Sequence, residues 1–149
     1  MEKKVKKLLN KLNHLKKNTF IDMMQIKFIY LSPCIDSLIA KMPINKKNIQ
    51  PFGFIHGGAI ITLAESVGSS LSLINIKKNI NDNNKYNIFN IEISANHIKC
   101  VKKGFLLAKA KIIHKGKTIH FIQANIFNEE KKLISLCKMT NIIIMKKKN

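Results

Sequence analysis

Between Asp36 and Asp82 the chain carries a single acid, Glu65, set between Ala64 and Ser66 in an otherwise apolar stretch. Burying a carboxylate is costly unless the group is paired or used. A lone one at such a place is therefore a candidate nucleophile or general base. His56-Gly57-Gly58 lies just upstream, where glycines allow close backbone approach and the N–H groups of a starting helix point outward with a positive dipole. Such donors suit an oxyanion. The plain alternatives are a carboxylate at an exposed edge and a paired-glycine turn from loop to helix. Gln50 and Ser69 flank this segment and carry less information alone, since a loop Gln is usually solvated and a helix Ser often bonds the preceding turn.

The element that must hold Glu65 runs from His56 to about Ile74, apolar on nearly every side, so it reads as a buried helix of roughly 28 Å. Before it, Val5, Leu8, Leu9, Leu12 and Leu15 recur at helical spacing among lysines, predicting an amphipathic helix over residues 3–17 that closes one end of the domain. Residues 23–31 and 35–42 read as two adjacent strands, broken at Ser32-Pro33 and stopped by Pro43. A loop spans residues 45–55. After a polar loop from Lys77 to Lys85 come four strand candidates. The first alternates Phe89, Ile91, Ile93 and Ala95 with polar residues, and its phase shift near His97-Ile98 suggests a bulge. Turns at Lys102-Lys103-Gly104, Lys115-Gly116 and Asn128-Glu129-Glu130 separate it from 105–114, 118–127 and 132–145, which reads as an antiparallel meander. The expected class is α+β, a curved sheet around one central helix.

At 149 residues and 46% hydrophobic, the chain fits one domain, residues 1–149. Its unbroken aliphatic stretches fall far short of the roughly 20 residues of a membrane span, and the lysine-rich start lacks the apolar core of a secretory signal. Three cysteines without C-x-x-C spacing suggest neither a disulfide framework nor a zinc site and fit a reducing cytoplasm. The five histidines show no metal-binding pattern, so no metal is expected. A net charge of +19 would point to nucleic acid, yet all 27 basic residues are lysines, and arginine is the usual reader of guanine and phosphate. Lysine, asparagine and isoleucine share AT-rich codons, so base composition accounts for much of the charge. No nucleic-acid partner is expected, while a basic surface suits a polyanionic ligand such as coenzyme A.

Taken together, the stretch from Gln50 through His56-Gly57-Gly58 and Glu65 to Ser69 resembles the hotdog-fold acyl-CoA thioesterases of the 4-hydroxybenzoyl-CoA thioesterase lineage. Glu92-Ile93-Ser94-Ala95-Asn96-His97-Ile98-Lys99 and His114-Lys115-Gly116-Lys117 are similar to strands of that family, so the resemblance covers residues 20–145. It implies a hotdog fold with an extra N-terminal helix, and hydrolysis of an aromatic acyl-CoA. The expected substrate is 1,4-dihydroxy-2-naphthoyl-CoA of menaquinone synthesis. By the resemblance, Glu65 is the nucleophile or general base and the Gly57 N–H polarises the thioester carbonyl. Gln50 and Ser69 orient the reacting groups, and His56 supports the loop. His97, Lys99, His114, Lys117 and Thr118 fall where the family contacts the acyl group or the CoA nucleotide. No cofactor is implied, coenzyme A being part of the substrate. The family shares its active site across a dimer, so a homo-oligomer is implied, a tetramer built as a dimer of dimers.

Three other readings stand beside this one. The first is a broad-specificity or proofreading acyl-CoA thioesterase. A hotdog dehydratase would set a catalytic His against an acid, which the Gln50, Gly57, Glu65, Ser69 spacing opposes. A non-catalytic acyl-CoA-binding regulator would lose the acid and add a helix-turn-helix.

Overall fold

A computed structural model describes residues 2–76 and 85–146. The predicted loop at Lys77–Lys85 therefore lies outside the described residues except for Lys85. The order is α1 (Glu2–Leu15), α2 (Phe20–Met23), β1 (Lys27–Leu31), β2 (Ser37–Pro43), α3 (Gly57–Ile74), β3 (Tyr86–His97), β4 (Phe105–Lys115), β5 (Ile119–Asn128) and β6 (Leu133–Met145). The strands form one antiparallel sheet in the order β1-β2-β4-β5-β6-β3, and α3 packs across its inner face. This is the hotdog architecture expected.

Most apolar positions of α1 do what their spacing predicts: Leu8 and Leu12 are buried and Val5 and Leu9 half-buried, while Leu15 at the end of the helix is exposed. Asn13 completes the docking, its amide donating to the Phe28 carbonyl at 2.8 Å and accepting from the Phe28 N–H at 3.1 Å. One side chain thus covers part of the sheet edge that β1 would leave open. Residues 23–26 are not strand as expected. The Met23 and Met24 N–H groups bond back to Thr19 and Phe20, and the Asp22 carboxylate takes the Lys16 ammonium at 2.7 Å. These local bonds make the short helix α2 and delay the strand to Lys27.

The sheet departs from the expected meander. β4, β5 and β6 do follow one another, but β3 crosses to the far edge and pairs with β6, from Tyr86 opposite Met145 to His97 opposite Ser135. Its bulge falls at Asn90/Glu92, not at His97-Ile98. There the Asn90 side chain donates to the Glu92 carbonyl and to Asn141 Oδ1, satisfying groups that the ladder skips. The phase shift at His97-Ile98 marks instead the end of the strand. With β1 covered by α1, β3 is the edge that pairs with no further strand among the described residues.

The core lies between α3 and the sheet, where Leu63, Val67 and Leu71 meet Leu38, Met42, Leu106, Ile122 and Ile126, all almost fully buried. Gly68 allows the closest approach, since a Cβ there would overlap the Met139 side chain. Among the described residues, α3 is the one helix long and apolar enough by composition to cross a membrane, but its apolar face is committed to the sheet.

Candidate active site

The site begins in the loop after β2. Asn48, 4% exposed, ties it together: its amide donates to the Pro43 carbonyl at 2.8 Å and accepts from the Asn45 N–H at 2.9 Å, and its own carbonyl accepts from the His56 N–H. The Ile55 N–H donates to the Val101 carbonyl at 2.8 Å, so the chain is held on both sides just before α3. Within the loop, the Gly53 N–H closes a turn onto the Gln50 carbonyl with φ +84°, a conformation that favours glycine. Gln50 Oε1 accepts from the Phe52 N–H. That bond fixes which end of the amide is which and leaves its NH₂ group without an acceptor among the described residues.

His56 is the N-cap of α3. Its Nδ1 accepts from the Gly58 N–H at 2.8 Å, which places the ring proton on Nε2, and its carbonyl accepts from the Ala59 and Ile60 N–H groups. The Gly57 N–H is left with no acceptor among the described residues. It is a free donor at the positive end of an 18-residue helix, the geometry of an oxyanion contact. His97 packs against the same residue: a Cβ on Gly57 would stand 2.9 Å from its Nε2. Its Nδ1 lies 3.0 Å from Ser135 Oγ, and because that hydroxyl donates to the Asn96 carbonyl, His97 donates through Nδ1. Glycine at 57 thus keeps both a donor and a histidine ring at one point.

Further along α3, the Ser69 hydroxyl donates to Glu65 Oε1 at 3.0 Å, one helical turn away, and steadies a half-buried carboxylate. Glu65 opens on a cleft of about 510 Å³ between α3, α1, α2 and the start of β3. Its walls are largely apolar, with Leu12, Phe20, Phe28, Leu73 and Ile88 among them. An acyl group fits such a lining, with the thioester at the carboxylate.

The predicted residues fall into three places. Gln50, His56, Gly57 and His97 gather at the start of α3, with the exposed Lys99 just beyond. Glu65 and Ser69 lie farther along the helix. Lys117 and Thr118 are on the β4–β5 turn, bordering a second cleft of about 590 Å³ with Asn75, His120 and Tyr86. His114 lines neither cleft and instead packs its ring on Phe121, centroids 5.7 Å apart. Tyr86 lines both clefts, which joins the Glu65 end to the Lys117 end.

Several of these contributors carry no sequence signal. Asn48 and Ser135 act through buried hydrogen bonds, and Tyr86 reaches the site only because β3 crosses to the far edge. His120 is 1% exposed, and its Nδ1 has no partner among the described residues. Burial first, and the nearby Lys115 charge second, hold its pKa below the ordinary histidine value, against the raising effect of a hydrogen bond that the ring donates to the Gly116 carbonyl. The Lys115 ammonium donates to Asn75 Oδ1 at 2.8 Å, closing the end of α3. Among the described residues no three His, Cys, Asp or Glu side chains come together as metal ligands would.

Known proteins resemble this chain in sequence and fold. The thioesterase superfamily profile matches residues 52–135, from the loop before α3 to the start of β6. The 1,4-dihydroxy-2-naphthoyl-CoA hydrolase of Escherichia coli is 30% identical over 91% of the chain and 94% of that protein. The protein of the same name from Listeria monocytogenes is 32% identical over 74% of the chain and 85% of its own length. Other relatives are named only as esterases. The solved thioesterase from Haemophilus influenzae superposes with a TM-score of 0.83 at 30% identity, covering 92% of this chain and 90% of that one.

Proposed function

This chain belongs to the thioesterase superfamily and is a thioester hydrolase, and from that premise we propose that it hydrolyses 1,4-dihydroxy-2-naphthoyl-CoA to the free acid and coenzyme A, at sites shared between two copies. The observation that carries the reading is a separation. Gly57 and Glu65 stand on one helix, eight residues apart, which at 1.5 Å per residue is about 12 Å. A carbonyl must sit about 3 Å from both its oxyanion donor and its attacking group. One copy therefore supplies the donor and another the carboxylate.

The free edge of β3 supports the means. Two copies of β3 paired antiparallel across a two-fold axis bring the His97 end of one beside the Tyr86 end of the other. His97 packs on Gly57, and Tyr86 lines the Glu65 cleft, so each donor meets the partner's carboxylate. Phe89, Phe121 and Ile144 remain exposed, and they favour a second contact and a dimer of dimers.

In the reaction, the Gly57 N–H takes the charge that develops on the carbonyl oxygen, and the Gln50 NH₂ group holds that oxygen in place. Glu65, steadied by Ser69, attacks the carbon or takes a proton from water. Coenzyme A leaves along the basic rim, where Lys99, Lys117 and Thr118 meet its phosphates. Three free cysteines and a coenzyme A thioester suit a reducing cytoplasm. The names of the two hydrolases favour the naphthoyl substrate, and the relatives named only as esterases favour a broader acyl range as the second reading.

The test is coenzyme A release from a panel of acyl-CoAs, coupled to a mixing experiment. Glu65→Gln and Gln50→Ala should each be inactive alone, but a mixed dimer keeps one intact pair of half-sites. Random reassociation should restore about a quarter of the parent activity. No recovery on mixing refutes the shared site, and release from aliphatic acyl-CoAs alone refutes the aromatic substrate.

A further inference from the structure

We propose that Ser66 is a specificity-determining residue, its hydroxyl reading a polar substituent on the acyl ring close to the thioester. The inference rests on the reading that the Glu65 cleft receives the acyl group.

A serine within a helix ordinarily satisfies itself by bonding the carbonyl one turn back. Three other hydroxyls of α3 have settled partners, since Thr62 Oγ1 donates to the Gly58 carbonyl at 2.9 Å, Ser69 donates to Glu65, and Ser72 Oγ accepts from the Asn141 amide at 3.0 Å, while Ser70 is half-buried on the cleft wall without a protein partner among the described residues. Ser66 does not follow them. It is only 5% exposed, its hydroxyl bonds no group among the described residues, and it lines the cleft beside Glu65. Its oxygen opens on the cleft, where water can bond it, and a ligand that displaces that water without replacing the bond is disfavoured.

The position sets the chemistry. Glu65 and Ser66 line the same cleft from neighbouring positions of α3, so an acyl group with its thioester at the carboxylate meets Ser66. An aromatic acyl group with a hydroxyl ortho to the thioester carbonyl places a donor and acceptor there. The unsubstituted ring leaves Ser66 unpaired. Sites that hydrogen-bond a substrate hydroxyl reject the analogue lacking it for this reason. Phe20, Phe28 and Leu73 make the rest of the wall and contact the ring without regard to that substituent.

The experiment compares kcat/KM for 1-hydroxy-2-naphthoyl-CoA and 2-naphthoyl-CoA. The parent should prefer the hydroxylated substrate by about five- to tenfold, the worth of one neutral hydrogen bond. Ser66→Ala should erase the preference by slowing the hydroxylated substrate alone. Ser66→Cys, similar in size with a much weaker donor, repeats the test should alanine loosen the helix. A parent ratio near one overturns the proposal whatever the variants do, and so does an equal loss on both substrates. Failure of the underlying reading looks different: the parent then releases coenzyme A from neither naphthoyl substrate.

Discussion

Gly57→Ala is the substitution whose effect the geometry specifies most closely. The new Cβ would stand 2.9 Å from His97 Nε2 and 3.3 Å from Cδ2, whereas optimal separation is about 3.5–4.0 Å. Something must yield by roughly half an ångström to one ångström. The ring resists, because Nδ1 is held by Ser135, itself fully buried and bonded to the Asn96 carbonyl. The helix start is the softer side, and it carries the donor. Alanine is the better helix former by up to about 1 kcal/mol, while overpacking costs about 1–3 kcal/mol, so the helix gain offsets part of the cost and the net loss of stability stays at about 2 kcal/mol or less. Catalysis has no such offset: moving a reacting contact by about 1 Å costs on the order of 10²-fold. Coenzyme A release should show kcat down by that factor with a urea midpoint only modestly below the parent's. Adding His97→Ala removes the obstacle, and the double variant should recover activity relative to the product of the two single effects, a coupling of about 0.5–3 kcal/mol. A Gly57→Ala enzyme within twofold of the parent, or strictly additive effects in the cycle, would refute the steric argument.

Three further outcomes are expected. Glu65→Gln keeps the shape of the side chain but removes its charge, so turnover should fall about 10²–10⁴-fold with substrate binding retained, while Ser69→Ala, which removes only support, should lose less; single-turnover kinetics and direct binding separate the two. KM for the acyl-CoA should rise with ionic strength, because Lys99 and Lys117 are exposed and would meet the phosphates as point charges, and a Lys117→Gln variant should show a flatter salt dependence. His120 has its folded pKa depressed by burial, so its neutral form stabilises the fold fully above the unfolded value of about 6.5, and that stability is lost as pH falls below it. Urea midpoints between pH 7 and 5 should accordingly fall less steeply for His120→Gln than for the parent, and identical slopes would count against the assignment.

The central helix was legible because its composition allows no exposed setting, and Glu65 because one acid in such a stretch stands out. The helix start at His56-Gly57-Gly58 was legible too, although that His56 caps it through Nδ1 was not. The hydrogen bonds that hold the site were not legible. Asn48 and Asn75 do their work buried, yet asparagine is so common in this chain that neither is distinguished from a loop residue. Residues 23–26 misled because they run without a break into the strand-forming Phe28-Ile29-Tyr30, while the backbone bonds to Thr19 and Phe20 that decide the local structure leave no trace in sequence.

The misplacement of β3 has the largest functional consequence. Alternation tells which face of a strand is apolar, and turn residues tell where it ends, but neither says which neighbour it pairs with. A four-strand meander would have set β3 beside β4, paired on both sides in the interior of the sheet. Crossing to β6 instead gives it an open row of backbone donors and acceptors, with Phe89 and Ile91 exposed beside them. An edge of this kind pairs readily with another chain unless something blocks it. At the opposite edge, Asn13 engages Phe28 from α1. The described part of β3 has no comparable cover. The sheet is therefore closed to a second copy on one side and open on the other, and the open side is the one whose ends carry His97 against Gly57 and Tyr86 against the Glu65 cleft. Replacing Ile93, in the middle of β3, with proline would remove one N–H from the strand and should weaken association and activity together. An active Ile93→Pro monomer by sedimentation would show that one chain can bridge the 12 Å between donor and carboxylate, a separation of about eight helical residues, and would end the shared-site argument.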